Sequence, residues 1–244
     1  METKNEITIR PTFSGAFGHG WKTMSNHFLI LLLVVFVMSI ITAPSGFIGP
    51  IFNSDKIPWD RMDFDFNIIH SGWIALGILA IILGIIVFAY SLLVVPVFKF
   101  GSALMFVHAA RNERPNFETL IKGFKENYLH IILANLLVSA LVMLGIVFLI
   151  IPGIIIACRL AFVTYVVMDK KLDPIVAVEE SWKLTKGHGW AIFFMAITSF
   201  FIGIAGFIMC FVGILPATIW IRSSFASLYE AVLIEKNGKA IAAE

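Results

Sequence analysis

Two arginines, Arg159 and Arg222, are the residues of this chain whose type and position most clearly suggest chemistry. Both lie in long apolar stretches that contain no Asp or Glu. A guanidinium group in the hydrocarbon of a membrane costs about 2.5–3.5 kcal/mol on insertion scales, so it usually has a functional reason. Its planar donors suit a phosphate or a carboxylate. We therefore predict that Arg159 and Arg222 bind an anionic ligand or lipid.

The two arginines follow similar local patterns. Arg159 comes seven residues after Pro152, and Arg222 comes six residues after Pro216. At a helical rise of about 1.5 Å per residue, each lies roughly 9–10 Å from a predicted outer turn. The alternative is structural, because each guanidinium could reach the outer surface, bond to carbonyl groups at its turn or lie over an aromatic ring such as Phe162. The sequence leaves both interpretations open.

Other candidate catalytic groups are weak. His27, His130 and His188 occur near the starts of apolar stretches, but no His-x-x-His or His-Glu-x-x-His spacing places two of them on one metal ion. Glu179 and Glu180 diverge by about 100° on a helix, as residues of a solvated face do. The chain has no Gly-x-Ser-x-Gly nucleophile motif. We predict no catalytic residue, no metal ligand and no cofactor.

Composition identifies the elements that must position these residues. Hydrophobic residues make up 59% of the chain, charged residues 14%, and the mean hydropathy is +0.92. About 20 apolar residues cross a hydrocarbon core. Six spans are predicted, at 27–50, 72–96, 129–152, 153–168 and the two halves of 190–221, which divides near 213–216. This pattern predicts an all-α polytopic membrane protein with six transmembrane helices in three hairpins.

The distribution of basic residues orients the predicted hairpins. Of the 18 Lys and Arg residues, 14 lie in the segments 1–26, 99–128, 169–189 and after 233. The predicted outer loop, 45–71, has only Lys56 and Arg61 against four aspartates. Basic loops stay cytoplasmic, so we predict a multi-pass protein of a bacterial inner membrane with both termini in the cytoplasm. The basic loops then face the anionic leaflet, which predicts membrane lipids as partners and no nucleic acid.

An amphipathic helix is predicted on the cytoplasmic side before each hairpin. The clearest apolar stripe is formed by Phe117, Leu120, Ile121, Phe124 and Tyr128. Trp21 and Trp182 occupy the corresponding positions before the first and third hairpins. A helix of this kind lies in the membrane interface with its aromatic side chains at headgroup depth. We therefore predict that Trp21, Phe117, Phe124 and Trp182 are interfacial residues.

The predicted organisation is a single integral membrane domain over 1–244. It contains an amphipathic segment (1–26), a first hairpin (27–98, with the outer loop 45–71), a second unit (99–168), a third unit (169–235) and a tail (236–244). The three units are either internal repeats or ordinary hairpins with juxtamembrane helices. Residues 98–110 either extend the second span or form a separate interfacial helix.

Several short motifs carry a family resemblance. They are Arg114-Pro115-Asn116-Phe117, Ile151-Pro152-Gly153-Ile154, Asp169, Glu180-Ser181-Trp182-Lys183-Leu184 and Ser227-Leu228-Tyr229-Glu230. Over 99–235 they resemble the membrane domain found in some glycerophosphoryl diester phosphodiesterases and in related bacterial membrane proteins of undefined function. In the fused enzymes the chemistry belongs to a separate soluble barrel. The resemblance therefore implies a membrane domain without catalytic residues of its own.

Two functional hypotheses follow. The first is a non-enzymatic membrane protein that binds lipid, anionic lipid above all, or a protein partner, and serves as a scaffold or accessory subunit. The second is a transporter or lipid-translocating protein in which Arg159 and Arg222 hold an anionic group. Acidic residues that could relay protons are missing from the predicted spans, which counts against proton-coupled transport.

Overall fold

The structure is a computed structural model that describes residues 11–47, 72–209 and 213–241, and these residues contain α-helices and no strand. The predicted all-α class is confirmed. The helices are α1 (Phe13–Asn26), α2 (Phe28–Thr42), α3 (Gly72–Leu93), α4 (Val95–Ala110), α5 (Glu118–Glu126), α6 (Tyr128–Phe148), α7 (Ile150–Arg159), α8 (Val163–Lys170), α9 (Pro174–Thr185), α10 (Gly189–Ile208) and α11 (Ile214–Ile241). A 3-10 turn, Ala43–Phe47, follows α2.

Four helical stretches of the described residues are long and apolar enough to cross a membrane. They are Gly77–Ala110, Tyr128–Phe148, Ile150–Lys170 and Gly189–Ile208. A fifth is possible if α1 and α2, which meet at an angle of 95°, count together as one broken span. These stretches are compatible with a membrane protein. The finer prediction of six spans in three hairpins is not reached by this count. Helix α11 is not included in it, and this helix carries Arg222, Glu230 and several serines.

Several predicted boundaries change. The first tight turn lies at Leu149 rather than at Ile151-Pro152-Gly153, because Pro152 is accommodated in the first turn of α7, where its missing N–H costs nothing. Residues 236–241 of the predicted tail continue α11. Residues 98–110 belong to α4, which is separated from α3 only at Val94. Residues 1–10, most of the outer loop and 242–244 lie outside the described residues.

Contacts divide the described chain into two compact units. One unit is Ser39–Pro96, in which the Tyr90 hydroxyl donates a hydrogen bond of 3.0 Å to the carbonyl oxygen of Ile41. The other contains the described residues up to Met38 and from Val97 onward. All the candidate site residues belong to this larger unit.

The core of the larger unit is built from α4, α8 and the middle of α11. Its largest fully buried side chains include Phe100, Phe106, Phe162 and Tyr229. In contrast, α6 and α10 leave most of their large apolar side chains uncovered by protein, as at Phe148 and Ile208. Helices that expose so much apolar surface are expected to face lipid.

Helix α1 packs along α11 and approaches it most closely at a glycine. Its buried residues are Ala16, Phe17, Gly20, Thr23 and Met24. A Cβ atom added at Gly20 would lie 2.6 Å from the Cα atom of Ser224, so only glycine permits this approach. The α11 serines Ser224 and Ser227 are buried. Because α1 covers this side of α11, α11 can carry polar side chains that a lipid-facing helix would not tolerate.

Candidate functional site

The most extensive polar cluster of the described residues joins three helices. Arg111, just after α4, donates from Nη1 and Nη2 to the two carboxylate oxygens of Asp169 at 2.7 and 2.8 Å, and from Nε to Glu230 at 2.8 Å. The hydroxyl of Tyr229 donates to Asp169 at 3.0 Å. The side chains of Arg111, Asp169 and Glu230 are only 25%, 12% and 14% exposed.

This cluster holds one cation against two anions. Burial by itself lowers the pKa of Arg111, but hydrogen bonds and charge from Asp169 and Glu230 outweigh it, so the pKa lies above its usual range. The guanidinium therefore stays charged and is bonded on both of its edges. The sequence did not predict that Arg111 would contact Asp169 and Glu230, although both acidic residues belong to motifs of the family resemblance. Its chemistry is that of an ion-pair clamp between α4, α8 and α11.

Arg159, the first predicted site residue, ends α7 beneath α9. Its carbonyl oxygen accepts hydrogen bonds from the hydroxyl groups of Ser181, at 2.8 Å, and Thr185, at 3.3 Å. Its guanidinium carbon lies 5.8 Å from the centre of the Trp182 ring, so the cation–π partner is Trp182 rather than Phe162. Its Nη1 atom is buried and has no hydrogen-bond partner among the described residues.

Arg222, the second predicted site residue, lies against α4. Its Nη1 atom donates to the hydroxyl oxygen of Ser102 at 3.2 Å, and that hydroxyl donates to the carbonyl oxygen of Lys99 at 2.8 Å. Ser102 is completely buried, whereas Lys99 is exposed. Among the described residues, Arg159 and Arg222 share no hydrogen-bond partner. That the two arginines bind one ligand stays a prediction.

The four predicted interfacial residues are all partly or largely uncovered. Trp21 packs edge-on against Trp220, with ring centres 5.1 Å apart. Phe124 contacts the rings of Phe98 and Tyr128. Phe117 lies exposed at the start of α5, and Trp182 lies exposed beside Arg159. The buried faces of these helices are formed by other residues.

Surface ion pairs fix the two later amphipathic helices. Lys171 donates to Glu126 of α5 at 2.7 Å, and Lys170 donates to Glu180 of α9 at 2.7 Å. Both lysines lie at the end of α8, so α5 and α9 are anchored to the same turn. Of the adjacent residues Glu179 and Glu180, Glu180 is therefore engaged in an ion pair with Lys170.

The histidines have separate partners. His130 contacts Asp173 at 2.9 Å, and His188 contacts Glu235 at 3.4 Å, while His27 caps α1. In the described part of the chain, no group of three or more His, Cys, Asp or Glu side chains could hold a metal ion. Asp173 caps α9 without a side-chain hydrogen bond to its backbone.

His19 is a further histidine at the contact between α1 and α11. Its Nδ1 atom lies 2.9 Å from the hydroxyl of Ser227 and 3.3 Å from that of Thr23. Burial first, and then the positive charge of Lys22, lower the pKa of His19 below its ordinary value of 6.5. The folded protein therefore favours the neutral imidazole.

We expect the contact between α1 and α11 to weaken in acid. The stabilisation from neutral His19 is present above about pH 6.5 and is lost as the pH falls through the lowered pKa of the folded state. Thermal midpoints of the purified protein between about pH 7.5 and pH 5 measure this. The midpoint of a His19→Gln variant should fall less over that range, and an equal fall in both proteins would contradict the assignment.

No family model, curated protein or solved structure matches this chain. The likeness to the membrane domain of glycerophosphoryl diester phosphodiesterases therefore stays a prediction.

Proposed function

We propose that the chain is a non-enzymatic, six-span protein of a bacterial inner membrane that binds anionic lipid. It would have both termini in the cytoplasm and would act as a scaffold or accessory subunit, to which a protein partner could bind. Helices α1, α5 and α9 would lie on the cytoplasmic leaflet. Each would anchor the hairpin that follows it.

One observation carries this proposal: each of the three amphipathic helices packs on the protein through one face and leaves a large apolar side chain uncovered on another. Trp21 is 53% exposed, Ile121 is 46% exposed and Trp182 is 46% exposed. The buried faces combine small residues with large ones, namely Gly20, Gly123 and Ala177 with Phe17, Leu120 and Leu184. Each helix thus has a second apolar surface that the described part of the chain does not cover. Such a surface suits a helix whose outer face lies in lipid.

Charge supports an anionic leaflet as the surrounding surface. Exposed lysines accompany the uncovered apolar residues on all three helices, with Lys22 on α1, Lys125 on α5 and Lys183 on α9. Each such lysine contributes about 1 kcal/mol of attraction near an anionic membrane surface. Aromatic insertion and basic charge together are a common means of holding a helix at the interface.

The state of the buried carboxylates supports a non-enzymatic role. Acid–base catalysis needs a carboxyl group whose proton can move at the working pH. Asp169 and Glu230 are both bonded to the guanidinium of Arg111, so both carboxylates are engaged in an ion pair. We therefore assign these groups to stability.

Lipid retention tests the proposal. The protein released from nanodiscs that contain equal amounts of phosphatidylcholine and phosphatidylglycerol should keep phosphatidylglycerol in native mass spectra. Arg159→Gln should reduce retention about tenfold, because a charge-assisted hydrogen bond contributes roughly 1.5–3 kcal/mol. Arg114→Gln makes the same change at an exposed arginine outside the three helices and serves as the matched control. A wild-type protein that retains both lipids equally would refute anionic-lipid binding.

A second candidate function, translocation of an anionic group, is favoured by one detail. The buried and unbonded Nη1 atom of Arg159 could hold an anion inside the helices as well as at their surface. Vesicles that contain the protein and fluorescent phosphatidylglycerol in one leaflet distinguish the two functions. Faster exchange between leaflets that disappears in Arg159→Gln would support translocation, and exchange at the protein-free rate would exclude it under those conditions.

A further inference from the structure

We infer that Lys99, Ser102 and Arg222 form a phosphate-binding site on the surface of the larger unit. Its ligand would be the phosphate of a phospholipid headgroup or free inorganic phosphate. The headgroup form of this inference rests on the proposed function, since it identifies where an anionic lipid binds. The site differs from the one predicted from sequence, which paired Arg222 with Arg159.

Ser102 joins Arg222 to the turn of α4 that carries Lys99. Its hydroxyl has one donor and two acceptor positions. The donor is used on the backbone carbonyl oxygen of Lys99 and an acceptor on Nη1 of Arg222. Lys99 and Ser102 are three residues apart on α4 and so lie on the same side of the helix. Arg222 is therefore bound one helical turn from Lys99.

The two cations lack an anionic partner. Among the described residues, neither Lys99 nor Arg222 takes part in an ion pair, whereas Arg111 is paired with two carboxylates. Two like charges at an apolar surface are costly, and an added anion would relieve that cost. A bound anion would supply the negative charge that these two cations lack among the described residues.

Access and hydrogen-bonding geometry suit a phosphate. Lys99 is exposed and Arg222 is half-buried, whereas Ser102 beside them is completely buried. The hydrogen bond to Ser102 occupies one nitrogen of the guanidinium and fixes its plane. An arginine has five N–H donors, so others remain for a tetrahedral oxyanion. Lysine adds a compact charge with three donors.

The test compares full-length proteins in nanodiscs of phosphatidylcholine with and without phosphatidylglycerol. Native mass spectra should show about tenfold less retained phosphatidylglycerol for Lys99→Gln and for Arg222→Gln. Lys186→Gln, the same change at an exposed lysine that follows α9, should retain it as the wild type does. Lys99 is exposed, so Lys99→Gln should fold normally. Lys99→Arg keeps the charge and should keep the lipid.

A second arm identifies the source of the phosphate. In nanodiscs of phosphatidylcholine alone, inorganic phosphate should raise the thermal midpoint of the wild type but not of Lys99→Gln if free phosphate is the ligand. A lipid headgroup site would respond to phosphatidylglycerol and not to inorganic phosphate.

Two results would overturn the inference, and they are distinguishable. If the wild type retains phosphatidylglycerol and Lys99→Gln and Arg222→Gln retain it equally, with no response to inorganic phosphate, the site is wrong while the proposed function stands. If the wild type retains no anionic lipid and does not respond to phosphate, both fail.

Discussion

Replacement of Arg111 by glutamine is expected to lower the free energy of unfolding by about 3 kcal/mol. The reason is that Asp169 and Glu230 would remain partly buried, and close enough to share one guanidinium, with no cation between them. The loss lies at the low end of the usual range for a buried ion pair, because Arg111 is a quarter exposed. For a chain of this size the thermal midpoint should fall by about 6–12 °C.

The matched control is Arg114→Gln, three residues further on. Arg114 is exposed, and such substitutions usually change stability by less than about 0.5 kcal/mol. Thermal unfolding in detergent compares the two variants directly. A double variant, Arg111→Gln with Asp169→Asn, should recover part of the loss, because one of the unpaired charges is removed. Equal midpoints for Arg111→Gln and Arg114→Gln would show that the cluster is not a structural clamp.

A methyl group at Gly20 is expected to destabilise the protein by about 1–3 kcal/mol, as overpacking of a core does. In Gly20→Ala the new Cβ atom would collide with Oγ of Ser224 and would lie 2.6 and 2.7 Å from backbone atoms of the same residue. A side chain can rotate away, but a helix backbone can only shift as a whole. Helix α1 would then separate from α11 along its length.

Gly18 provides the opposite case on the same helix. A Cβ atom added there would meet nothing within 4 Å. Because alanine is a better helix former than glycine, Gly18→Ala should raise stability by up to about 1 kcal/mol. Thermal midpoints of the two variants should therefore move in opposite directions. A fall of similar size in both would mean that the contact between α1 and α11 is not as close as the structure has it.

The spacing of apolar residues predicted the amphipathic helices but not which side would be buried. In α5 the predicted stripe is divided, because Leu120 is buried together with Gly123 whereas Ile121 and Phe124 are exposed. The usual rule assigns large apolar residues to the protein interior. In lipid the hydrophobic effect no longer favours contact between helices, and small residues that allow close approach take that role.

The ion-pair clamp could not be predicted from spacing. Arg111 is separated from Asp169 by 58 residues and from Glu230 by 119. Charged residues of this kind indicate where helices end. They do not indicate which helix ends lie in contact. The position of Arg222 illustrates the same limit. Because Arg222 and Arg159 lie at similar distances from a proline, the sequence predicted that they act together. In the structure the hydrogen-bond partner of Arg222 is Ser102, which lies 120 residues earlier in the chain.

The central claim is that the uncovered apolar residues of the amphipathic helices lie in lipid. The most direct test places a spin label at Ile121 or at its neighbour Lys122, about 100° away around α5, with the protein in vesicles that contain phosphatidylglycerol. Collisions with oxygen, which concentrates in lipid, and with a water-soluble nickel complex are then measured. We predict that position 121 is more accessible to oxygen and position 122 to nickel. Equal, nickel-dominated accessibility at both positions would place this face of α5 in water and contradict the account.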